Sequence, residues 1–544
     1  MFAMQSVSVK RALVAVVAAL TMASGMSARA TIDVSQSPLF LPSPVDPNIL
    51  FVLDDSGSMY WESIPDSAVL FMFPRPNGVY GNASEYNNQV ASVNYASGNA
   101  NEAVSALAFR SSSYNPLYYN PAITYRPWAN ADGSLWADSN PLAARYHPAR
   151  GGPGTLNLTT NVTQNAQWVY TNNAGSAWGA WADRSYYPAT YARFLGGAVW
   201  NAANYQRVEI KVANAPFTGD GRENRTDVGC VAGSCSYTAE IQNFANWFTY
   251  YRSRHLAAAA GVGRAFASQS EKMRVGFGAI NKSGTSVDGV ANTEVVMSGV
   301  RQFSGADRTS FFNTLYGSSW EPWGTPLRWA LDNAGQYFSR SDNRGPWGKI
   351  PGTNDASSHL ACRQSYTILM TDGYWNGAAA ETAGAQADTD STGGPTILGP
   401  SGSFTFDAVT PFRDGRGNTL ADVAMYYWKR DLRGTIDNLV PTSTINPGFW
   451  QHMVTFGIGF GVAGTVSPTT AFDALANSPA ININWPNPTG GTAQVDDLLH
   501  AAINSRGGFF SAREPDVFAS ELSSVLQEIV ARSLASNGVS ASAT

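Results

Sequence analysis

An α/β fold built around a doubly wound, mostly parallel sheet is what this sequence predicts, and three observations carry that prediction. Ile49-Leu50-Phe51-Val52-Leu53 is an unbroken apolar run bounded by Pro47-Asn48 and a Ser/Gly turn. A strand without alternation is one buried on both faces, as in parallel sheets. Ser365 to Met370 is a second run of this kind. Both runs end in acids, at Asp54 and at Thr371-Asp372-Gly373, and the carboxyl ends of parallel strands are where such sheets bind their ligands.

The elements follow in order. From about Tyr60 to Ser236 the chain is crowded with Tyr, Trp, Asn, Pro and Gly, as in Tyr114-Asn115-Pro116-Leu117-Tyr118-Tyr119-Asn120-Pro121. That composition predicts a large inserted region of short strands, turns and long loops. Its rings either grip a sugar or protein surface or fill a satellite core of their own. Regular alternation resumes at Tyr237, where Ile241, Phe244, Phe248 and Tyr251, then Ala259, Val262 and Phe266, recur at steps of three and four, the mark of an amphipathic helix. A strand from Arg274 to Ile280, a β-branched run at Thr293 to Met297, and helices around Phe311 and from Leu327 to Tyr337 come next. Beyond Asp372, the stretch through Ala387-Asp388-Thr389-Asp390-Ser391 reads as a disordered polar loop, although its acids could hold calcium. A helix from Leu420 to Leu432, a strand from Met453 to Phe460, helices near Phe472 and Val495, a strand at Gly508 to Ser511 and a helix from about Asp516 to Ala531 complete the scaffold. Ser533 to Thr544 reads as a linker or tail.

The first thirty residues are a targeting segment. Lys10-Arg11 precede an apolar run from Ala12 to Ala23 and then Ala28-Arg29-Ala30, the layout of a secretory signal peptide too short to span a membrane. The expected organisation is therefore a leader at 1–30, the first strand and its loop at 31–59, the insertion at 60–236, the rest of the α/β domain at 237–532 and the tail at 533–544. Without Lys10, Arg11 and Arg29, 32 of the 35 basic residues face 40 acids, a net charge near −8. A nucleic-acid partner is disfavoured on that ground. Charged residues at 14% and aromatics at 12% suit an exported surface protein better than a cytosolic enzyme. In an exported chain Cys230 and Cys235 most simply close a small disulfide loop, leaving Cys362 buried and free or paired to another chain, with a bond from Cys362 to one of the pair as the alternative. The five histidines are scattered and show no zinc spacing.

Asp54, Ser56 and Ser58 alternate around the turn at Gly57, so a carboxylate and two hydroxyls can converge on a hard cation. Thr325 sits in the loop Trp323-Gly324-Thr325-Pro326-Leu327, and Asp372 closes the second strand. Strand and Asp-x-Ser-x-Ser, then a loop threonine, then strand and Asp-Gly: this order resembles the metal-ion-dependent adhesion site of von Willebrand factor A domains. The resemblance implies a von Willebrand A-like (Rossmann-like) fold with Asp54, Ser56, Ser58, Thr325 and Asp372 as ligands of Mg²⁺, Mn²⁺ or Ca²⁺, direct or through water. Three hydroxyls and two acids leave such a cation under-neutralised, so it can accept a carboxylate from a partner. Asp55 departs from that family, where the residue is often apolar; it either points away or adds charge that favours Ca²⁺ or Mn²⁺.

Three further segments narrow the resemblance: Tyr125-Arg126-Pro127-Trp128, Asn243-Phe244-Ala245-Asn246-Trp247-Phe248-Thr249-Tyr250-Tyr251-Arg252, and Asn418 to Trp428. They look like the N-terminal half of the type IV pilus tip-associated biogenesis factor and adhesin family, across nearly the whole mature chain. In that family the region precedes a β-propeller bearing a calcium loop that controls pilus retraction. This sequence ends at Thr544 without one, which reads as a fragment, a truncated product or a short member.

The resemblance implies an exported, non-enzymatic, metal-dependent binding module at the cell surface or pilus tip, supporting pilus biogenesis and attachment. Its partners would be minor pilins or a host or abiotic surface ligand. A scaffold that primes pilus polymerisation around a purely structural metal is the alternative. An exported hydrolase has little support, since neither a Gly-x-Ser-x-Gly elbow nor a His-Glu-x-x-His motif is present.

Overall fold

The computed structural model describes residues 45–64, 71–74, 89–150, 154–172, 175–282, 286–290, 294–318, 323–400 and 402–539; the leader at 1–30 lies outside them. Six strands form the central sheet: β1 (Asn48–Leu53), β2 (Arg274–Ala279), β3 (Val296–Gln302), β4 (Ser365–Thr371), β5 (Met453–Phe460) and β6 (Phe509–Ala512), in the order β3-β2-β1-β4-β5-β6. Only β3 runs antiparallel to its neighbour. The mixed α/β class and the parallel-rich sheet are thus as the sequence predicts.

Every residue of β1 is buried, and the two faces explain why its apolar run does not alternate. Ile49, Phe51 and Leu53 point into one core with α2 (Arg254–Ala267), α3 (Gly305–Gly317) and α7 (Pro515–Val539). Leu50 and Val52 point into the other, against α4 (Leu327–Phe338), α5 (Leu420–Trp428) and α6 (Thr492–Asn504). Burying both faces removes the water that would select polar residues at alternate positions. Among the described residues no helix is long and apolar enough to cross a membrane.

Between β1 and α1 (Tyr237–Tyr250) the described residues add no strand to the central sheet; they build the helix Ala100–Ala108, a long hairpin of Val162–Asn172 with Gly175–Tyr186, and shorter ladders. Many rings of this region join the core beneath the central sheet, while a smaller cluster of its own gathers Val104, Leu107, Ala108, Ala192 and Tyr205, with Tyr114, Phe194 and Trp200 against it. Tyr118 meets Trp247 at 4.7 Å, Tyr119 meets Phe244 at 5.0 Å, and Trp128 stacks on Tyr316 at 4.5 Å. Polar bonds fix the same joint: Asn243 Oδ1 accepts from the Tyr125 N–H at 2.8 Å, Asn246 Nδ2 donates to the Tyr125 carbonyl at 3.1 Å, and Trp128 Nε1 donates to the Tyr250 carbonyl at 3.1 Å. Two of the segments that carry the family resemblance therefore dock on each other.

Several boundaries differ from the sequence expectations. The single helical pattern from Ile241 to Phe266 is broken between α1 and α2, where Arg252 turns inward to bind Glu62 Oε1 at 2.6 Å and the Phe248 carbonyl at 2.6 Å. Of the β-branched run from Thr293 to Met297, Thr293 lies outside the described residues; the third strand begins within the run at Val296, after Val295 takes a left-handed φ of 67°. Helix α5 stops at Trp428, not Leu432, because Lys429 turns its amine onto the Thr389 and Thr392 carbonyls. The last helix runs on to Val539, through much of the expected tail. The loop after Asp372 is not a solvated polar stretch: Thr389 and Asp390 are buried, and Ile397, Phe406 and Phe412 pack with Trp428 and Trp450.

Candidate metal centre

Strands β1 and β4 are adjacent, parallel and in register, with Leu53 opposite Met370. Their ends consequently deliver Asp54 and Asp372 side by side, although the two lie far apart in sequence. The Asp54 N–H donates to the Met370 carbonyl at 3.0 Å, and Asp54 Oδ1 accepts from the Ser56 N–H at 2.8 Å, the closure of an Asx-type turn. Ser58 Oγ donates to Asp372 Oδ1 at 2.9 Å and lies 3.1 Å from Ser56 Oγ. Asp54, Ser56, Ser58 and Asp372 are thereby brought into one cluster.

Thr325 is placed differently. Its loop is pinned to the first by the Gly57 N–H donating to the Trp323 carbonyl at 3.0 Å. The Thr325 backbone exchanges two bonds with Asn376, at 2.9 Å each. Among the described residues no hydrogen bond joins the Thr325 hydroxyl to the other four. Asp55 points away, accepting from the Asn281 N–H at 2.8 Å and facing Lys282 at 3.3 Å.

The cluster is deep on one side and open on the other. Asp54, Ser56 and Asp372 are buried and Ser58 is half-buried, while Trp323 at 62% and Tyr374 at 36% stand exposed on the flanking loops. Burial pushes both carboxyls up: Asp54 is raised chiefly by desolvation, and Asp372 is raised to about 7 by desolvation, with Arg254 opposing and Asp54 reinforcing. Two buried carboxylates side by side ask for a cation.

Sequence reasoning missed two neighbours. Thr371 Oγ1 donates to Asp54 Oδ2 at 2.6 Å, a contact legible only as the threonine before the second acid. Arg254, at the start of α2, donates to Asp372 Oδ2 at 2.9 Å and to the Ser63 carbonyl through Nε at 2.9 Å and Nη2 at 2.7 Å. No local signal marks it, since the partners are joined only by the fold.

The donor set fits a hard divalent cation. Ligand oxygens on an octahedral cation with arms of about 2.1 Å are about 3.0 Å apart along each edge, and the Ser56–Ser58 and Ser58–Asp372 spacings are 3.1 and 2.9 Å.

A second acidic group lies in the loop after β4. One carboxylate oxygen from each of Asp388, Asp390 and Asp414 falls within 4.8 Å of the others, an arrangement that could hold a metal ion. Burial, with Asp422 and Asp414 adding to it, pushes Asp390 up to about 9; burial raises Asp414 as well. Elsewhere, the Cys230 and Cys235 sulfurs are bonded to each other, and Cys362 is free and half-buried rather than buried.

No family model matches the chain, and no solved structure matches it. Three curated relatives do, each named type IV pilus biogenesis factor PilY1 and from Pseudomonas aeruginosa. The protein of strain PAK is 32% identical over 557 residues, that of strain PAO1 31% over 551, and that of strain UCBPP-PA14 31% over 541, covering 95% of this chain each time. The chain spans about two-fifths of the length of these relatives, 41%, 41% and 40% respectively. With such identity sustained over 95% of its length, the chain belongs to the type IV pilus biogenesis factor PilY1 family.

Proposed function

We propose that this chain is a von Willebrand A-like, metal-dependent binding module that serves type IV pilus biogenesis and surface attachment. The observation that carries the reading is Ser58 Oγ, held between Ser56 Oγ at 3.1 Å and Asp372 Oδ1 at 2.9 Å at the carboxyl ends of two central parallel strands. Asp54, Ser56, Ser58 and Asp372 would hold the cation, with Thr325 at the rim. When bound, the metal supplies a coordination position for a partner's carboxylate. The protein's own residues do the rest: Thr371 and the Ser56 N–H orient Asp54, Ser58 orients Asp372, and exposed Trp323 and Tyr374 offer apolar surface beside the opening.

In this reading residues 31–59 and 237–532 form one domain interrupted by 60–236, the protein is exported, and it is a binder rather than an enzyme. Its partner is a minor pilin at the pilus tip or a surface ligand presenting a carboxylate. The Arg254–Asp372 pair favours a second reading, a pilus-assembly scaffold whose buried metal stabilises the fold alone.

The test is calorimetric titration of the full chain with Mg²⁺ and Mn²⁺, wild type beside Asp54→Ala, with binding to purified pili followed on the same samples. Metal binding that needs Asp54, together with pilus binding that needs the metal, supports docking. Metal binding with metal-independent pilus binding supports the scaffold. A folded wild type that binds neither ion overturns both.

A further inference from the structure

We infer that Asp388, Asp390 and Asp414 form a second cation site, of calcium type, that clamps the loop between β4 and α5 onto α6. It is separate from the Asp54 site and does not depend on it. Two buried polar groups that reach the acids argue for a missing ligand there.

The first is His500, on α6 and 1% exposed. Its Nε2 lies 2.6 Å from the Phe412 carbonyl, which can only accept, so the ring proton is on Nε2. Nδ1 then carries a lone pair, and it faces Asp414 Oδ2 at 4.0 Å. Asp414 Oδ2 also takes a long bond from Arg416 Nη1 at 3.5 Å, and His500 Nε2 lies 3.7 Å from Asp390 Oδ2, so the ring sits against both acids. The second is Asn504, wholly buried one turn further along α6. Its Nδ2 donates to Asp390 Oδ2 at 3.0 Å, and its Oδ1 has no partner. Asp388 Oδ1 is likewise buried and unpartnered. Leaving such acceptors without a donor is costly, and a cation among the carboxylates is a group that would satisfy them, directly or through coordinated water.

Charge points the same way. Around the group stand the carboxyls of Asp388, Asp390, Asp414 and Asp422, against two flanking cations: Arg416, 3.5 Å from Asp414 Oδ2, and Lys429, whose amine is already bonded to the Thr389, Thr392 and Gly393 carbonyls. Asp414 acts on Asp497 as well, so the acids around the group outnumber the cations, and a bound cation would offset their mutual repulsion. Asp422 is no ligand in this arrangement, because its oxygens accept from the Thr389, Asp390 and Thr419 N–H groups and so shape the loop that presents Asp390.

Coordination flexibility favours the larger of the hard cations. The three carboxylates come from irregular backbone and lie within 4.8 Å of one another, and Ca²⁺ accepts irregular oxygen shells whereas Mg²⁺ demands a near-ideal octahedron. Entry is available through a cavity of about 380 Å³ lined by Ser391, Asp414, Arg416, Asn482 and Trp485.

The experiment is Ca²⁺ titration of the full chain, read by calorimetry, by thermal unfolding and by protease cleavage mapped to residues 387–418. Wild type, Asp390→Asn, Asp414→Asn and Asp54→Ala are compared, with half-buried Asp388→Asn as the variant that folds if burial makes the others fail. Ca²⁺ is expected to raise the unfolding temperature and protect 387–418 in wild type and in Asp54→Ala alike. Its affinity is expected to drop about tenfold or more in the Asp388, Asp390 and Asp414 variants. Mg²⁺ at the same concentration is expected to protect poorly. Absence of Ca²⁺ binding by wild type, affinity unchanged in all three variants, loss only in Asp54→Ala, or equal protection by Mg²⁺ would each overturn the assignment. Failure of the Asp54 site itself leaves these outcomes readable, since the two sites are addressed by different variants.

Discussion

Arg254 donates a buried hydrogen bond to Asp372 at 2.9 Å, from the first residue of α2 to the end of β4. The guanidinium is also held by the Ser63 carbonyl and lies 5.0 Å over the Trp61 ring. A fixed positive charge therefore sits beside the proposed cation. It partly neutralises Asp372 without metal, and with metal it leaves the site with surplus positive charge, which strengthens its demand for an external carboxylate.

Replacing Arg254 by Gln is expected to destabilise the metal-free protein by about 3 kcal/mol, the usual cost of leaving one member of a buried ion pair uncompensated. Saturating Mg²⁺ is expected to recover part of the loss and to bind more tightly than to wild type. Urea unfolding with and without Mg²⁺ checks both. Equal destabilisation in the two conditions would mean that Arg254 acts on packing alone.

Ser58→Ala removes the hydroxyl that links Ser56 to Asp372. The site is half-open at this residue, so stability is expected to fall by only about 1 kcal/mol. Metal affinity is expected to fall about tenfold. Calorimetry alongside chemical denaturation separates the two effects.

Glu240 on α1 takes two buried guanidiniums, Arg222 at 2.6 Å and Arg225 at 2.7 Å. Glu240→Ala is expected to cost about 3–5 kcal/mol, since it strands both charges. Because Arg222 and Arg225 lie in the segment between β1 and α1, limited proteolysis of the variant is expected to open that segment first. Uniform cleavage along the chain would contradict the idea that this joint holds it to α1.

Stability of the metal-free protein is expected to decline above pH 6.5. Asp422 and Asp497 are each raised to about 7 by burial, above an unfolded value near 3.8. The stability they contribute is complete at low pH and is lost as pH rises through about 7. His147 and His500 are lowered to about 3 and His452 to about 4 by burial. Their contribution is complete above pH 6.5 and is lost as pH falls toward those values. The two trends oppose each other between about pH 4 and 6.5; from there the carboxyl trend dominates, extended by Asp390 raised to about 9, with Lys429, lowered to about 8, beginning to oppose it near pH 8. Thermal unfolding in EDTA at pH 6.5, 7.2 and 8 checks this; an unfolding temperature that rises across the series would contradict it.

The strands were legible because burial on two faces writes itself into local composition. Met453 to Phe460 matches its expected limits, and Ser365 to Met370 misses only Thr371. Helix ends were less legible, since Arg252 and Lys429 end their helices by reaching partners remote in sequence. The acids of the 388–414 loop were misread for the same reason: polar composition describes solvated and buried loops alike, and only the packing of Phe406, Phe412 and Trp428 around them distinguishes the two.

The α/β class, the two strands that end in Asp54 and Asp372, and the serines able to meet them were readable from local composition, because strand burial and turn chemistry act over a few residues. Long-range packing set the rest: Arg254 neutralises Asp372, Asp55 turns toward Asn281 and Lys282, the aromatic region packs on α1, and Asp388, Asp390 and Asp414 converge beside His500. Each of these joins residues far apart in the chain, and electrostatic and packing energies depend on distance in space, which local sequence does not encode.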